Sequence, residues 1–146
     1  EVPVIAAGGI ADGRGMAAAL LLGAEGVQVG TRFVCAAECI VHDDYKQMVL
    51  KATDRSTVIT GQSTGHPVRV LKNKLARKFL AAEAGGASPE ELEAMGAGSL
   101  AAAFHGDVEE GSVMAGQSAA LVTKVEPAAA IIADLVGKCQ ELLQKN

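Results

Sequence analysis

The sequence predicts an α/β fold carrying a smaller α+β part, and three observations support this. First, residues 2–7 (VPVIAA) are a short apolar run and 24–29 (AEGVQV) resume as a strand, each of strand length and closed by glycine. Second, an Ala/Leu-rich helical stretch lies between them over 14–22, and strand–helix–strand units of this size join parallel neighbours by a right-handed crossover. Third, the pattern changes after Phe33 to short strands and helices separated by turn-forming residues.

The elements follow in order. The run 2–7 is apolar at nearly every position, which predicts a strand buried on both faces. The chain opens directly in this run, without Met or a basic leader, as expected of a polypeptide that starts inside a fold. GGIADGRG then forms a turn, and Gly23 stops the first helix. A helix is predicted over 43–52, because Tyr45, Met48, Val49 and Ala52 share one face. TVIT (57–60) and VRVL (68–71) flank the turn formers of GQSTGHP and predict an antiparallel pair. A basic amphipathic helix follows over 72–83, with Leu71, Leu75 and Phe79 along one side and Gly85-Gly86 at its end. Ser88, Pro89 and Glu91 form a helix start with a capping box. A short helix over 99–104 and an acidic loop, GDVEEGS, come next. The longest helix spans 127–143, with Ile131, Leu135, Cys139 and Leu142 as its apolar stripe.

Composition narrows the function. With 49% hydrophobic residues and a net charge of −4 over 146 residues, a globular domain is expected and disorder is not. Lys+Arg of 13 against Asp+Glu of 17 disfavours nucleic acid as a partner. No apolar run approaches the roughly 20 residues needed to span a bilayer. Three cysteines, Cys35, Cys39 and Cys139, do not form a paired framework, and no second Cys/His pair sits at metal-binding spacing. Free thiols in a reducing cytosol and no metal site are the expectation.

The chemistry concentrates at two strand ends. Gly8-Gly9 follows the first strand and Gly30-Thr31 the second, so both pairs emerge at the C-terminal edge of a parallel sheet, where α/β folds bind ligands. Glycine lets backbone N–H groups approach a phosphate closely, and Thr31 adds a hydroxyl donor. In a (β/α)8 barrel a phosphate site lies after the last two strands. A Rossmann site fits less well: GGIADG does not match G-x-G-x-x-G, and no acid ends the second strand.

The stretch AAGGIADGRGMAAALLLGAEGVQVGTRF resembles the last two βα units of the flavin-dependent enoyl-ACP reductase II and nitronate monooxygenase family. ATDRSTVITGQSTGHPVRVLKNKLARKFL and GDVEEGSVMAGQSAALV resemble the enoyl-ACP reductase II branch, so the likeness covers essentially the whole chain. It implies the C-terminal part of an FMN-binding TIM (β/α)8 barrel with a small α+β inserted domain. The parts would be barrel units over 1–36, the insertion over 37–112, and a return to the barrel with the closing helix over 113–146. It implies NADH or NADPH as reductant and an enoyl thioester on acyl carrier protein as substrate, in the bacterial cytoplasm.

By position in the motif, Gly8, Gly9, Gly30 and Thr31 would hold the FMN phosphate. Gln117 would meet the cofactor, and Met114, Ala115, Gly116 and Ser118 would line the substrate pocket. A full barrel takes about 250 residues. The missing N-terminal half, or a second chain, is therefore an expected partner, as is homo-oligomerisation. The family's histidine near the substrate lies outside this chain; His42, His66 and His105 are not in that motif, and no catalytic residue is assigned. The alternatives are a nitronate monooxygenase with oxygen as acceptor, and a non-catalytic phosphate-binding half-barrel.

Among the remaining residues, His66 reads as a turn histidine and His42 as the start of a helix. Cys35 reads as packing rather than a nucleophile. The cations Arg69, Lys72, Lys74, Arg77 and Lys78 read as a solvated helix face or as a docking surface for an acidic carrier protein.

Overall fold

A computed structural model describes residues 2–144. Glu1, at the head of the first predicted barrel segment, and 145–146, at the end of the last, lie outside the described residues. Strand β1 (Ile5–Ala7) pairs in parallel with β2 (Gly26–Gln28) in the register Ile5↔Gly26 to Ala7↔Gln28. Helix α1 (Gly13–Leu21) makes the crossover. Its cap is Asp12, whose side chain accepts from the backbone N–H groups of Arg14 at 3.0 Å and Gly15 at 3.1 Å.

The first strand departs from expectation. It begins at Ile5 rather than Val2, and Val2, Val4 and Ile5 are exposed rather than buried. A sheet of two strands gives an apolar run one neighbour and leaves its other sides open.

Helix α2 (Thr31–Val34) follows β2, and α3 (Asp43–Leu50) presents Tyr45, Met48 and Val49 to the core as the periodicity predicts. His42 caps α3, its Nδ1 accepting from Asp44 N–H at 3.2 Å. Strands β3 (Thr57–Thr60) and β4 (Val68–Leu71) pair antiparallel. The segment after the acidic loop lies along the other side of β4. Leu71 N–H donates to Val113 O at 2.8 Å, and Ala115 N–H donates to Arg69 O at 3.3 Å.

Helix α4 (Lys74–Ala84) starts two residues later than the sequence suggests. Asn73 is its cap: Oδ1 accepts from Ala76 N–H at 2.8 Å, while Nδ2 donates to Val108 O and Gly111 O. Helix α5 (Pro89–Gly96) carries both bonds of the Ser88–Glu91 capping box. Helix α6 (Ser99–Phe104), a 3₁₀ turn (Gln117–Leu121) and α7 (Ala128–Leu143) complete the chain.

Two cores result. One gathers Tyr45, Val49, Leu71, Val113 and Ala119 around Cys35. The other packs Ile131 and Leu135 of α7 against Ala36. Helix α7 also lies against α1 at Gly13, where a Cβ would stand 2.7 Å from Leu135 O, so only glycine permits that approach. Among the described residues no helix is long and apolar enough to cross a membrane.

Candidate functional site

The parallel register of β1 and β2 brings Gly8-Gly9 and Gly30-Thr31 out at one sheet edge. There they line a cleft of about 290 Å³ together with Gly116 and Ser118. Gly8 and Gly9 adopt φ of +91° and +73°, a left-handed region that side chains disfavour. No heavy atom lies within 4 Å of where a Cβ would stand on Gly8, Gly9 or Gly30, so the backbone faces open space. Thr31 Oγ1 accepts from Gly116 N–H at 2.8 Å, which ties the third segment to the first two and leaves the hydroxyl proton for another acceptor.

Among the described residues no charged side chain lines this cleft. The nearby arginine is committed elsewhere. Arg32 Nη1 donates to Ala11 O at 2.8 Å and to Asp134 Oδ2 at 2.7 Å, and Nη2 donates to Glu126 Oε1 at 2.8 Å. Burial opposes its charge, but the two carboxylates outweigh that and hold its pKa above the ordinary value. Arg32 therefore fastens the turn before α1 to the segment before α7 and to α7 itself. Its sequence context, GTRF, carried no signal of this role, because both carboxylates come from the far end of the chain.

The segment 114–118 divides between two places. Gly116 and Ser118 face the glycine cleft. Ala115 is buried in the core, and Gln117 is exposed at the start of the 3₁₀ turn. Met114 lines a second, apolar pocket in the β3–β4 part of the molecule. Tyr45, which the sequence presented only as a core residue, holds this segment: its hydroxyl donates to Met114 O at 2.7 Å, and burial pushes the phenol up to about 12.

The other singled-out residues are mostly occupied by structure. Cys35 is fully buried and its thiol is pushed up to about 11 by burial, which suits packing. The basic face is partly neutralised, since Lys74 and Lys78 both pair with Glu110 of the acidic loop. His105 stacks edge-on against Phe104, and His66 sits on the wall of the apolar pocket.

The family model for nitronate monooxygenase matches residues 1–138. The chain belongs to the nitronate monooxygenase family. It is 37% identical to nitronate monooxygenase of Paraburkholderia phytofirmans over 99% of its own length and 40% of that protein's. This family member therefore spans about two fifths of that relative. Among solved structures, FabK of Thermotoga maritima superposes with a TM-score of 0.93 at 51% identity, covering 99% of this chain and 46% of FabK. A nitroalkane oxidase of Streptomyces ansochromogenes superposes with a TM-score of 0.78 at 29% identity, covering 100% and 42%. The α/β fold of this family member is the one those proteins share.

Proposed function

We propose that this chain is the C-terminal part of an FMN-dependent enoyl-[acyl-carrier-protein] reductase that uses NADH or NADPH to reduce trans-2-enoyl thioesters in cytoplasmic fatty-acid synthesis. The observation that carries this reading is the 51% identity to FabK over 99% of the chain, against 37% to the curated nitronate monooxygenase. In this reading 1–36 and 113–146 belong to a (β/α)8 barrel and 37–112 form its inserted domain, with the rest of the barrel supplied by the missing N-terminal half or by a second chain.

The glycine cleft fits a phosphate. Four glycines on its wall, Gly8, Gly9, Gly30 and Gly116, carry no Cβ, so backbone N–H groups there can be approached closely, and Thr31 supplies a hydroxyl. Gly8, Gly9, Gly30 and Thr31 would hold the FMN phosphate, and Gly116, tied to Thr31, would let the flavin approach closely, with Gln117 beside it. Bound FMN would supply hydride transfer from the nicotinamide to the β-carbon of the enoyl thioester. The chain's own work is to anchor the cofactor through backbone and hydroxyl groups, to keep Met114, Gly116 and Ser118 at the substrate side while Ala115 packs in the core, and to hold that segment through Tyr45 and Thr31.

A second reading, nitronate oxidation with oxygen, is favoured by the family model and the curated relative. The deciding experiment compares NADH oxidation driven by a trans-2-enoyl thioester with oxygen uptake driven by a nitronate, both by the FMN-loaded protein. Enoyl-dependent turnover is expected. Nitronate-dependent oxygen uptake without it would replace the reductase reading. A failure of the 146-residue chain to take up FMN, followed by visible absorption, would leave it as a non-catalytic half-barrel.

A further inference from the structure

The β3–β4 part of the molecule holds a pocket of about 210 Å³ that the glycine cleft does not include. Strand alternation builds it. Val68 and Val70 point to one face of β4, and Met114, bridged to Val70, shares that face; Leu71, Val113 and Ala115 point to the core on the other. Leu75, Phe79 and Leu92 from α4 and α5 close the opposite wall.

Of its polar wall groups, three are spent on internal partners, while Thr60, His66 and Glu93 also stand on the wall. Asn73 bonds Val108, Gly111 and Ala76; Ser99 Oγ donates to Gly96 O at 2.7 Å; Thr64 Oγ1 donates to Gly61 O at 2.8 Å. What remains for a ligand is mainly apolar surface. A pocket this small is below the usual range for a whole ligand and suits part of one.

One chain segment borders both the pocket and the cofactor cleft, which share no wall residue. Met114 lies on its wall, and Gly116, two residues on and about 7 Å along an extended chain, lies on the cleft wall. We infer that this pocket receives the distal, saturated end of the substrate's acyl chain, with Met114 at the passage between the tail and the reacting end. The inference rests on the enoyl-thioester reading and adds the part of the molecule that measures chain length.

The test is calorimetric binding of saturated acyl-pantetheines of four to ten carbons to the FMN-loaded protein, beside turnover of the matching enoyl thioesters. Affinity should rise about fourfold for each methylene buried, then level off when the pocket is full. Gly96→Leu is the filling variant. A Cβ at Gly96 meets only Phe79 Cε2, at 3.7 Å, so the backbone tolerates it while the side chain takes up pocket space. Leu100→Trp, at a half-exposed wall position, is the second. Both should flatten the chain-length dependence of binding.

Equal affinity for four and ten carbons in the unaltered protein, or an unchanged slope in both variants, overturns the inference. A slope that the variants abolish, in a protein that does not turn over enoyl thioesters, would instead overturn the reductase reading and leave the apolar-chain site standing. Turnover without a slope would do the reverse.

Discussion

Val2, Val4 and Ile5, at the parallel strand pair, are 85%, 62% and 53% exposed, whereas Leu71, Val49 and Val113 in the other part are 1% exposed or less. Both regions are built from β-branched and aliphatic residues. The difference lies in what covers them. Leu71 of β4 shares a core with Tyr45 and Val49 of α3, and α4 lies against β3, while β1 and β2 have α1 and each other. An apolar run is thus a statement about neighbours a strand is built to have. In the proposed barrel reading the neighbours of the β1–β2 pair are strands outside this chain, which spans two fifths of a relative's length. Substituting one residue on each side tests this most strongly. Leu71→Ala should cost about 3 kcal/mol in urea unfolding of the chain, and Ile5→Ala less than about 0.5 kcal/mol. An Ile5→Ala cost equal to that of Leu71→Ala would show that the strand pair is already covered, for instance by self-association.

Around the parallel pair, Arg32 ties the turn before α1 to the segment before α7 and to α7 itself. Its side chain is 10% exposed and meets Glu126 at 11% exposure, while Asp134 is half exposed. Removing the guanidinium leaves the nearly buried Glu126 carboxylate to Lys124, which pairs with its other oxygen at 2.8 Å. Arg32→Ala should therefore cost about 2 kcal/mol, and a double-mutant cycle with Glu126→Gln should show coupling above about 1 kcal/mol. Additive effects in that cycle would mean that the clamp holds nothing. Glu126 is held below the ordinary glutamate value by Lys124 and Arg32, so this contribution is present at neutral pH and fades as pH falls through the depressed value.

The local elements were legible because their causes are local. The capping box at Ser88, the face of α3, the β3–β4 hairpin and the Ile131–Leu135–Cys139 stripe all follow from residues within a few positions of one another. The start of α4 differs from the expectation because Asn73 caps it, and an Asn before a helical run is the local signal that sets this start. The glycine pairs of the cleft were legible from strand–loop–helix order, and the third segment only from family resemblance. No periodicity announces that Gly116 N–H will meet Thr31, a contact across 85 residues. Arg32 and Tyr45 stayed hidden for the same reason, since their partners are equally remote in sequence.

A smaller contrast separates the glycines within the cleft itself. Gly8 at φ +91° needs its conformation, while Gly30 at φ −104° does not. Gly8→Ala should lose about 1 kcal/mol of stability as well as FMN affinity. Gly30→Ala should leave the melting curve nearly unchanged and weaken only FMN binding, read by flavin fluorescence titration. If Gly30→Ala binds FMN as the parent does, the phosphate does not approach that loop, and the cradle is formed by Gly8, Gly9 and Thr31 alone.

The smallest expected effect again divides the two regions, through the caps of their helices. Asp12 caps α1 as a carboxylate, and Asn73 caps α4 as an amide that does not titrate. Burial raises the Asp12 pKa, but hydrogen bonds from Arg14 and Gly15 outweigh it and hold the group below its ordinary value. The sign follows: the cap's stabilisation is complete above about pH 4 and is lost as pH falls through the depressed value. Asp12→Asn keeps an acceptor oxygen and should change neutral-pH stability by only about 0.3 kcal/mol, because the paired Arg14 is largely exposed. Its acid limb between pH 4 and pH 2 should be shallower than the parent's, followed by urea midpoints at each pH. An acid limb identical in the two proteins would mean that protonation elsewhere, at Glu126 above all, governs how the α1 side of the molecule loosens.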